Sequence, residues 1–137
     1  MIKYKISYSN PHRHFVDFEI IAKVLGQQKM LFQLAAWRPG RYELANFSQN
    51  IQRWKAINKN GENLHFRKIT KDLWEVDTKG ESEITICYNF YANQLDAGAC
   101  YLDEHQLYLN PVHCMFYIVD RVDEEYSIEL DLPKSYQ

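Results

Sequence analysis

The residues best suited to chemistry in this sequence are closely spaced histidines. His12 and His14 are separated by one residue, so in an extended segment their imidazoles lie on the same side and could hold a metal ion. The sequence contains no H-E-x-x-H, and no carboxylate lies at a helical spacing that would complete a site. Both histidines flank a proline turn, so we interpret them as surface residues.

Thiols and carboxylates offer a second kind of chemistry. The cysteines are Cys87, Cys100 and Cys114. Their number is odd and no C-x-x-C pair occurs, so we expect reduced thiols and neither disulfides nor a thiolate zinc site. His113 precedes Cys114, but adjacent strand residues point to opposite faces, which argues against a catalytic pair. The acidic clusters at residues 103–104 and 123–125 are typical of solvated charge.

The stretch AAWRPGRYELANF, residues 35–47, concentrates aromatic rings, guanidinium groups and turn-forming residues. Pro39 and Gly40 fit the central positions of a type II turn, where glycine supplies the positive φ. The residues that flank this turn are Trp37, Arg38, Arg41 and Tyr42. The arginines could bind a carboxylate, whereas the simpler interpretation is a hairpin with an aromatic clasp and solvated arginines.

Composition limits the classes of function. The chain has 137 residues, which suggests one domain, and 46% of them are hydrophobic and 25% charged, as in globular proteins. A formal net charge of −2 gives no broad basic field, so we expect no nucleic-acid partner. No run approaches 18 apolar residues, so we expect no membrane partner. The N-terminus lacks the apolar core of a signal peptide, and we expect a cytoplasmic location.

Alternating apolar and polar residues predict β-strands along most of the chain. Residues 2–8 and 84–90 show this period of two most clearly, and Asn60-Gly61 is the strongest turn signal. Turn signals recur every 8–12 residues, a spacing typical of sandwiches. The sequence therefore predicts an all-β fold: a single antiparallel β-sandwich over residues 1–137, with about nine to eleven short strands and at most one short helical turn within residues 41–54.

Two blocks of the sequence resemble the N-terminal domain of the glycyl aminopeptidase family of zinc metallopeptidases. In LAAWRPGRYELANFSQNI the matching residues are Trp37, Pro39, Gly40, Tyr42, Phe47 and Ile51. In AGACYLDEHQLYLNP they are Tyr101, Leu102, Asp103 and Asn110. Departures from the family pattern are Ala35 in place of proline, Gly98 in place of arginine and Pro111 in place of glycine. The opening, YKISYSNPHRHFVDFEI, also resembles the family's start.

The resemblance implies a non-catalytic N-terminal domain that packs on a zinc-dependent catalytic domain and helps to shape the peptide-substrate cleft. Such proteins carry an H-E-x-x-H catalytic domain and a C-terminal PDZ domain, both absent from residues 1–137. The resemblance thus implies no cofactor or metal in this chain, zinc in the catalytic domain, and no activity of the chain alone. The implied partners are that catalytic domain and a peptide substrate. The candidates for the cleft or domain interface are Trp37, Arg38, Pro39, Gly40, Arg41, Tyr42, Phe47, Tyr101, Asp103 and Asn110.

Two alternatives and one further expectation remain. A free-standing binding module could use Trp37, Trp54 and Trp74 to stack on sugar rings, or could bind a protein ligand. A small enzyme could use His12, His14 and a carboxylate. The amphipathic strand YSIELDLP near the C-terminus predicts that the chain belongs to a longer protein, and its exposed edge near residues 126–132 would favour dimerisation.

Overall fold

The computed structural model describes residues 2–8, 15–34, 51–70, 72–91, 101–102, 107–108, 115–119, 121 and 124–131, and every structural statement below refers to these residues. This part of the chain forms eleven strands and no helix. The strands are β1 (Ile2–Ser7), β2 (Phe15–Lys23), β3 (Lys29–Gln33), β4 (Ile51–Asn58), β5 (Phe66–Thr70), β6 (Leu73–Asp77), β7 (Glu83–Tyr91), β8 (Tyr101–Leu102), β9 (Leu107–Tyr108), β10 (Tyr117–Ile118) and β11 (Tyr126–Asp131). Within these ranges there is accordingly no helix of the length and apolarity needed to cross a membrane.

Two sheets build the domain. The larger has five strands in the order β11-β1-β2-β7-β4, and the smaller has four in the order β10-β3-β6-β5. Strands β8 and β9 form a separate two-stranded sheet. All pairs are antiparallel except β1 and β11, which run parallel with Ile2 opposite Tyr126. The all-β sandwich predicted from the sequence is confirmed, with this parallel pair as a feature that the strand patterns did not predict.

Strand alternation produces the core between the two sheets. In β7, every second residue from Ile84 to Phe90 is at most 3% exposed. Phe18 and Tyr88 pair across β2 and β7, and their rings stack at a centroid distance of 5.0 Å. Phe116 lies 5.0 Å from the Tyr88 ring and 5.1 Å from the Trp74 ring, so it links the two sheets. The inner faces of both sheets therefore form one continuous core.

Two of the described connections between the sheets contain tight turns. Between β2 and β3, Gln27 N donates to Val24 O (3.2 Å), with Leu25 and Gly26 at φ values of 55° and 76°. After β4, the Asn58 side-chain oxygen accepts from the backbone nitrogens of Asn60 and Glu62, each at 2.9 Å. The predicted Asn60-Gly61 turn is confirmed. It closes only one bridge, between Ile57 and Asn63, before the chain crosses to the other sheet.

A bulge interrupts β4 and explains its imperfect sequence pattern. The register against β7 shifts between Gln52 and Lys55, and Arg53 adopts a φ of 55°. An extra residue of this kind bends a strand and shifts its alternation. Ile51 and Trp54 consequently both pack against the core, although they lie three residues apart. The predicted helical turn lies largely in residues 41–50, outside the described part of the chain.

Candidate functional site

The sandwich has two edges where its sheets end side by side, and the one formed by β4 and β5 is closed. Trp54 stacks on Trp74 at a centroid distance of 5.6 Å and contacts Phe66 at 4.8 Å. Lys68 places its ammonium 4.8 Å from the centre of the Trp74 ring, a cation–π contact. Strands β4 and β5 belong to different sheets, so these side chains seal the space between them.

The opposite edge, formed by β11 and β10, is open. Tyr126, Ile128 and Leu130 pair with the buried residues of β1, so their side chains lie on the inner face of the larger sheet. They are nevertheless 63%, 46% and 59% exposed. Among the described strands, the smaller sheet ends at β10, which has only two residues. We call the surface formed by Tyr126, Ile128 and Leu130 the open apolar face.

A cavity of about 230 Å³ lies beside this face, between β1, β11 and the segment that contains β10. Its walls are mainly apolar and include Ile2, Tyr4, Met115, Phe116 and Ile128. A dry apolar cavity of roughly 150 Å³ holds a benzene molecule. The cavity is therefore large enough for one bulky apolar side chain.

Tyr4 forms the polar anchor of this cavity. Its hydroxyl donates a hydrogen bond to Phe116 O at 2.8 Å, and its ring meets the Tyr126 ring edge to face at 5.9 Å. Burial, with a smaller contribution from Tyr126, raises the pKa of Tyr4 to about 12. The phenol is thus a neutral donor at ordinary pH, which suits it to positioning a backbone and not to acid–base chemistry.

An ion pair closes one end of the cavity. The Arg121 guanidinium donates to both Glu124 carboxylate oxygens, from Nε at 2.6 Å and Nη2 at 2.8 Å, and to Lys23 O at 2.7 Å. Hydrogen bonding from Arg121 lowers the pKa of Glu124 to about 2. The Arg121 side chain is buried. This pair attaches the end of β2 to the segment that leads into β11.

The outer face of the same strands is polar. Lys3 and Glu129 form an ion pair at 3.2 Å, with both side chains about half exposed. Lys5, Glu19 and Asp131 line a shallow polar depression beside them. The two faces of β11 thus differ in chemistry: mixed charges on the outside and apolar side chains on the inside.

The described residues do not bring metal-binding or nucleophilic groups together. Among them, no group of three or more His, Cys, Asp or Glu side chains could hold a metal ion. His65 is exposed on the segment before β5. Cys87 is a free thiol, half-buried on the outer side of β7, and burial is the main cause that raises its pKa. This part of the chain therefore supplies no activated nucleophile.

Most residues predicted for the site lie outside the described part of the chain. This applies to the whole Trp37–Tyr42 turn, to Phe47, and to Asp103 and Asn110; the histidine pair at 12 and 14, Cys100 and Cys114 also lie there. Tyr101 is described in its backbone and pairs with Tyr108 between β8 and β9. Their predicted role at a cleft or domain interface stays a prediction.

The predicted sugar-stacking platform is not formed by the two described tryptophans. Trp74 is buried, and one face of its ring stacks on Trp54 while Phe116 meets it edge to face. Trp54 contacts the rings of Phe32 and Phe66 as well. Because these indoles pack against each other, they are core residues and do not form a flat exposed surface for a sugar ring.

The open apolar face was missed as a site by sequence reasoning, although its residues were recognised as an amphipathic strand. The alternation in β11 correctly indicates which side chains share a face. To predict that these side chains are exposed, one would have to know how far the facing sheet extends. Strand β10, with two residues, is too short to show an alternating pattern in the sequence. Arg121 and Glu124 lie only three residues apart, but the bond from Arg121 to Lys23 O joins residues far apart along the chain and had no sequence signal.

The fold and this edge define a β-sandwich domain with an exposed apolar strip and, among its described residues, no cluster of potential metal ligands. A sequence model of the family described as the Peptidase M61 N-terminal domain matches residues 3–137. The chain therefore belongs to this family, and the metallopeptidase resemblance seen in the sequence is confirmed. No curated protein matches the chain.

One solved structure agrees with this assignment. An aminopeptidase N family protein from Idiomarina loihiensis is similar over 98% of this chain and 22% of that chain, at 25% identity and a TM-score of 0.90. A two-domain M1 zinc metallopeptidase bound to L-arginine matches 98% of this chain and 32% of that chain, at 12% identity and a TM-score of 0.47, too weakly to support an argument. The chain thus spans 22% of the length of the Idiomarina loihiensis protein.

Proposed function

We propose that this chain is the non-catalytic N-terminal domain of a zinc-dependent aminopeptidase, where it packs on the catalytic domain and helps to shape the cleft for a peptide substrate. The observation that carries the proposal is the family match over residues 3–137 to a peptidase N-terminal domain. The close structural match to part of an aminopeptidase N family protein supports it. A carbohydrate-binding module has no comparable support.

The zinc ion belongs, in this proposal, to the rest of the polypeptide. The described residues do not fit a zinc site, because no three potential ligands lie together. The sequence of residues 1–137 also contains no H-E-x-x-H. The contribution of this domain is then structural: it would hold one wall of the cleft and orient the peptide. A C-terminal PDZ domain is a further expectation from the family resemblance.

Metal removal tests the peptidase proposal directly. We expect the longer polypeptide that carries this chain to hydrolyse glycyl peptides, to lose that activity with a chelator, and to regain it with zinc. Residues 1–137 alone should neither hydrolyse the peptide nor bind zinc tightly. Hydrolysis that survives complete chelation, or tight zinc binding by residues 1–137 alone, would contradict the proposal.

The aromatic turn at residues 37–42 provides a test of cleft shaping. If Trp37 and Tyr42 contribute to the cleft, Trp37→Ala and Tyr42→Ala in the longer polypeptide should change KM or kcat for a glycyl peptide. Tyr91→Ala is the control, because Tyr91 is an exposed aromatic residue on β7 that no prediction places at the cleft. Unchanged KM and kcat in both turn variants would show that neither residue contributes to the cleft.

Self-association through β11 is the remaining proposal about partners. The strand lies at the edge of its sheet with one side unpaired by any described strand, an arrangement that favours pairing with another chain. Sedimentation of residues 1–137 over a range of concentrations tests this. A monomer at every concentration would rule out a dimer of the isolated domain.

A further inference from the structure

We propose that the open apolar face of β11, together with the adjoining cavity, is the surface on which the domain that follows in the same polypeptide docks. This inference rests on the proposed function, because it requires that a peptidase domain follows the sandwich. The inference goes beyond the proposed function because it assigns the contact to Tyr126, Ile128, Leu130 and the Tyr4 cavity. None of these belongs to the predicted site.

The exposed apolar side chains of β11 extend the core face of the larger sheet. They continue the inner face of the larger sheet past the end of the smaller sheet. Tyr126, Ile128 and Leu130 follow one another at every second residue, so their side chains form a continuous strip. Contiguous apolar surface of this kind is typical of an interaction site, whereas scattered exposed residues such as Leu25 need no explanation.

An apolar cavity adjoins this strip. The Tyr4 hydroxyl already donates a hydrogen bond to Phe116 O, and Arg121 already donates hydrogen bonds to Glu124 and Lys23 O. These polar groups therefore have partners within the domain, and most of the other lining residues are apolar. An occupant would present a bulky apolar side chain, such as Phe, Leu or Met, as the anchor of an interface.

The family indicates the occupant. The chain belongs to a family of peptidase N-terminal domains, so the remainder of such a peptidase comes later in the polypeptide than β11, the last of the described strands. The similar Idiomarina loihiensis protein has most of its chain outside the matched domain, since the match covers 22% of it. A following domain is thus tethered next to the open apolar face, where its effective concentration is high.

Charge disfavours the antiparallel pairing of two β11 strands that is centred on Ile128, so the self-association proposed above for the isolated domain requires another register. The outer side chains of β11 include Glu129 and Asp131, and Glu125 precedes the strand. Antiparallel pairing of two β11 strands about Ile128 would set Glu125 of one copy opposite Asp131 of the other. Like charges directly opposite each other destabilise a strand pair.

Hydroxyl-radical footprinting of the tyrosines tests the docking surface. Tyr126 is 63% exposed in this domain, and Tyr91, at 38%, serves as the internal reference. We expect the modification rate of Tyr126 relative to Tyr91 to fall by about fivefold or more in the longer polypeptide compared with residues 1–137, because the centre of an interface is dry. An unchanged ratio would overturn the proposal, and protection that appears only as concentration rises would assign the face to a second copy and also overturn it.

A matched pair of variants gives a second measurement. Ile128 and Ile69 are 46% and 43% exposed, on β11 and β5 respectively. In the longer polypeptide, Ile128→Asp should speed the release of the N-terminal domain by limited proteolysis severalfold, whereas Ile69→Asp should not. Equal effects would contradict the docking surface.

Zinc content and glycyl-peptide hydrolysis, measured on the same preparation, separate the two proposals. An active zinc peptidase in which Tyr126 stays reactive would refute the docking surface alone. Protection of Tyr126 in a polypeptide without peptidase activity would leave the docking surface intact and refute the proposed function.

Discussion

The two edges of the sandwich are built from similar residues but end in different states. At the β4–β5 edge, Trp54 and Phe66 lie between the sheets and close the space between them. At the β11–β10 edge, Tyr126 and Ile128 occupy the corresponding inner face and stay largely exposed. The difference arises because Trp54 and Phe66 pack on each other across the two sheets at the first edge, whereas at the second edge the smaller sheet ends, among the described strands, at β10, which has only two residues.

Amphipathic alternation determines which side chains share a face of a strand, but it does not determine whether that face is covered. The β4–β5 edge uses the domain's own rings as its cover. The β11–β10 edge has an equivalent apolar strip and an adjoining cavity of about 230 Å³. We infer that another part of the polypeptide covers the open apolar face at this edge.

The largest expected effect distinguishes the closed edge from the open one. Trp54→Ala removes ring contacts to Trp74 and Phe66 and should lower the free energy of unfolding by about 3 kcal/mol. Tyr126→Ala in the same domain should lower it by about 1 kcal/mol or less, since its described ring contact is with Tyr4. Urea unfolding monitored by circular dichroism measures both.

Trp54→Phe is the control for the closed edge. The Trp54 Nε1 has no hydrogen-bond partner in the described part of the chain, so a phenyl ring should retain most of the stabilisation. If Trp54→Ala and Tyr126→Ala cost the same free energy of unfolding, the distinction between the edges would be wrong.

An intermediate effect is expected from the hydrogen bond that joins β1 to the segment before β10. Tyr4→Phe leaves Phe116 O without its donor and should lower the free energy of unfolding by about 1–2 kcal/mol. Since burial raises the pKa of Tyr4 from 10.0 to about 12, its stabilisation is complete below pH 10.0 and is lost as pH rises through 12. Urea unfolding across this range measures the loss.

The Tyr4→Phe variant should lack that part of the alkaline loss. A wild-type protein whose stability stays constant from neutral pH through 12, or a variant with the same alkaline profile as the wild type, would show that Tyr4 is not held neutral by the fold.

A smaller effect is expected from the ion pair at the end of the cavity. Glu124→Gln should lower the free energy of unfolding by about 1 kcal/mol at neutral pH, because a charge-assisted pair with Arg121 is weakened. The pKa of Glu124 is lowered from 4.5 to about 2, so its stabilisation is complete above pH 4.5 and is lost as pH falls through 2. Acid unfolding curves of both proteins test this.

Glu129→Gln is the matched control for the acid experiment, since Glu129 pairs with Lys3 on the exposed outer face and should contribute little. An acid profile of Glu124→Gln that coincides with the wild type, or a larger effect of Glu129→Gln, would contradict the role of the Arg121–Glu124 pair.

The sequence contained enough information for the fold class because strand alternation is local. The period of two in residues 84–90 places every second residue on one face, and the structure buries those residues, Ile84, Ile86, Tyr88 and Phe90. The turn at Asn60-Gly61 was also predictable, since glycine alone adopts the required φ of 82° without strain. Family membership came from short motifs and not from any physical property of the fold.

The candidate site was not predictable from the same information. The parallel pairing of β1 with β11 joins the two ends of the chain, and no local pattern specifies such a partner. Likewise, the Tyr4–Phe116 bond spans 112 positions in sequence. The exposure of Ile128 depends on where another sheet stops, which follows from the assembly of all strands and not from the residues of β11.

Amide hydrogen exchange of β11 tests the central claim most directly. We expect amides of residues 126–131 to exchange faster in residues 1–137 alone than in the longer polypeptide, because a docked domain raises the free energy of local opening. Amides of β4, at the closed edge, should exchange at the same rate in both. Equal rates for β11 in the two proteins would contradict the claim that the open apolar face is covered by the following domain.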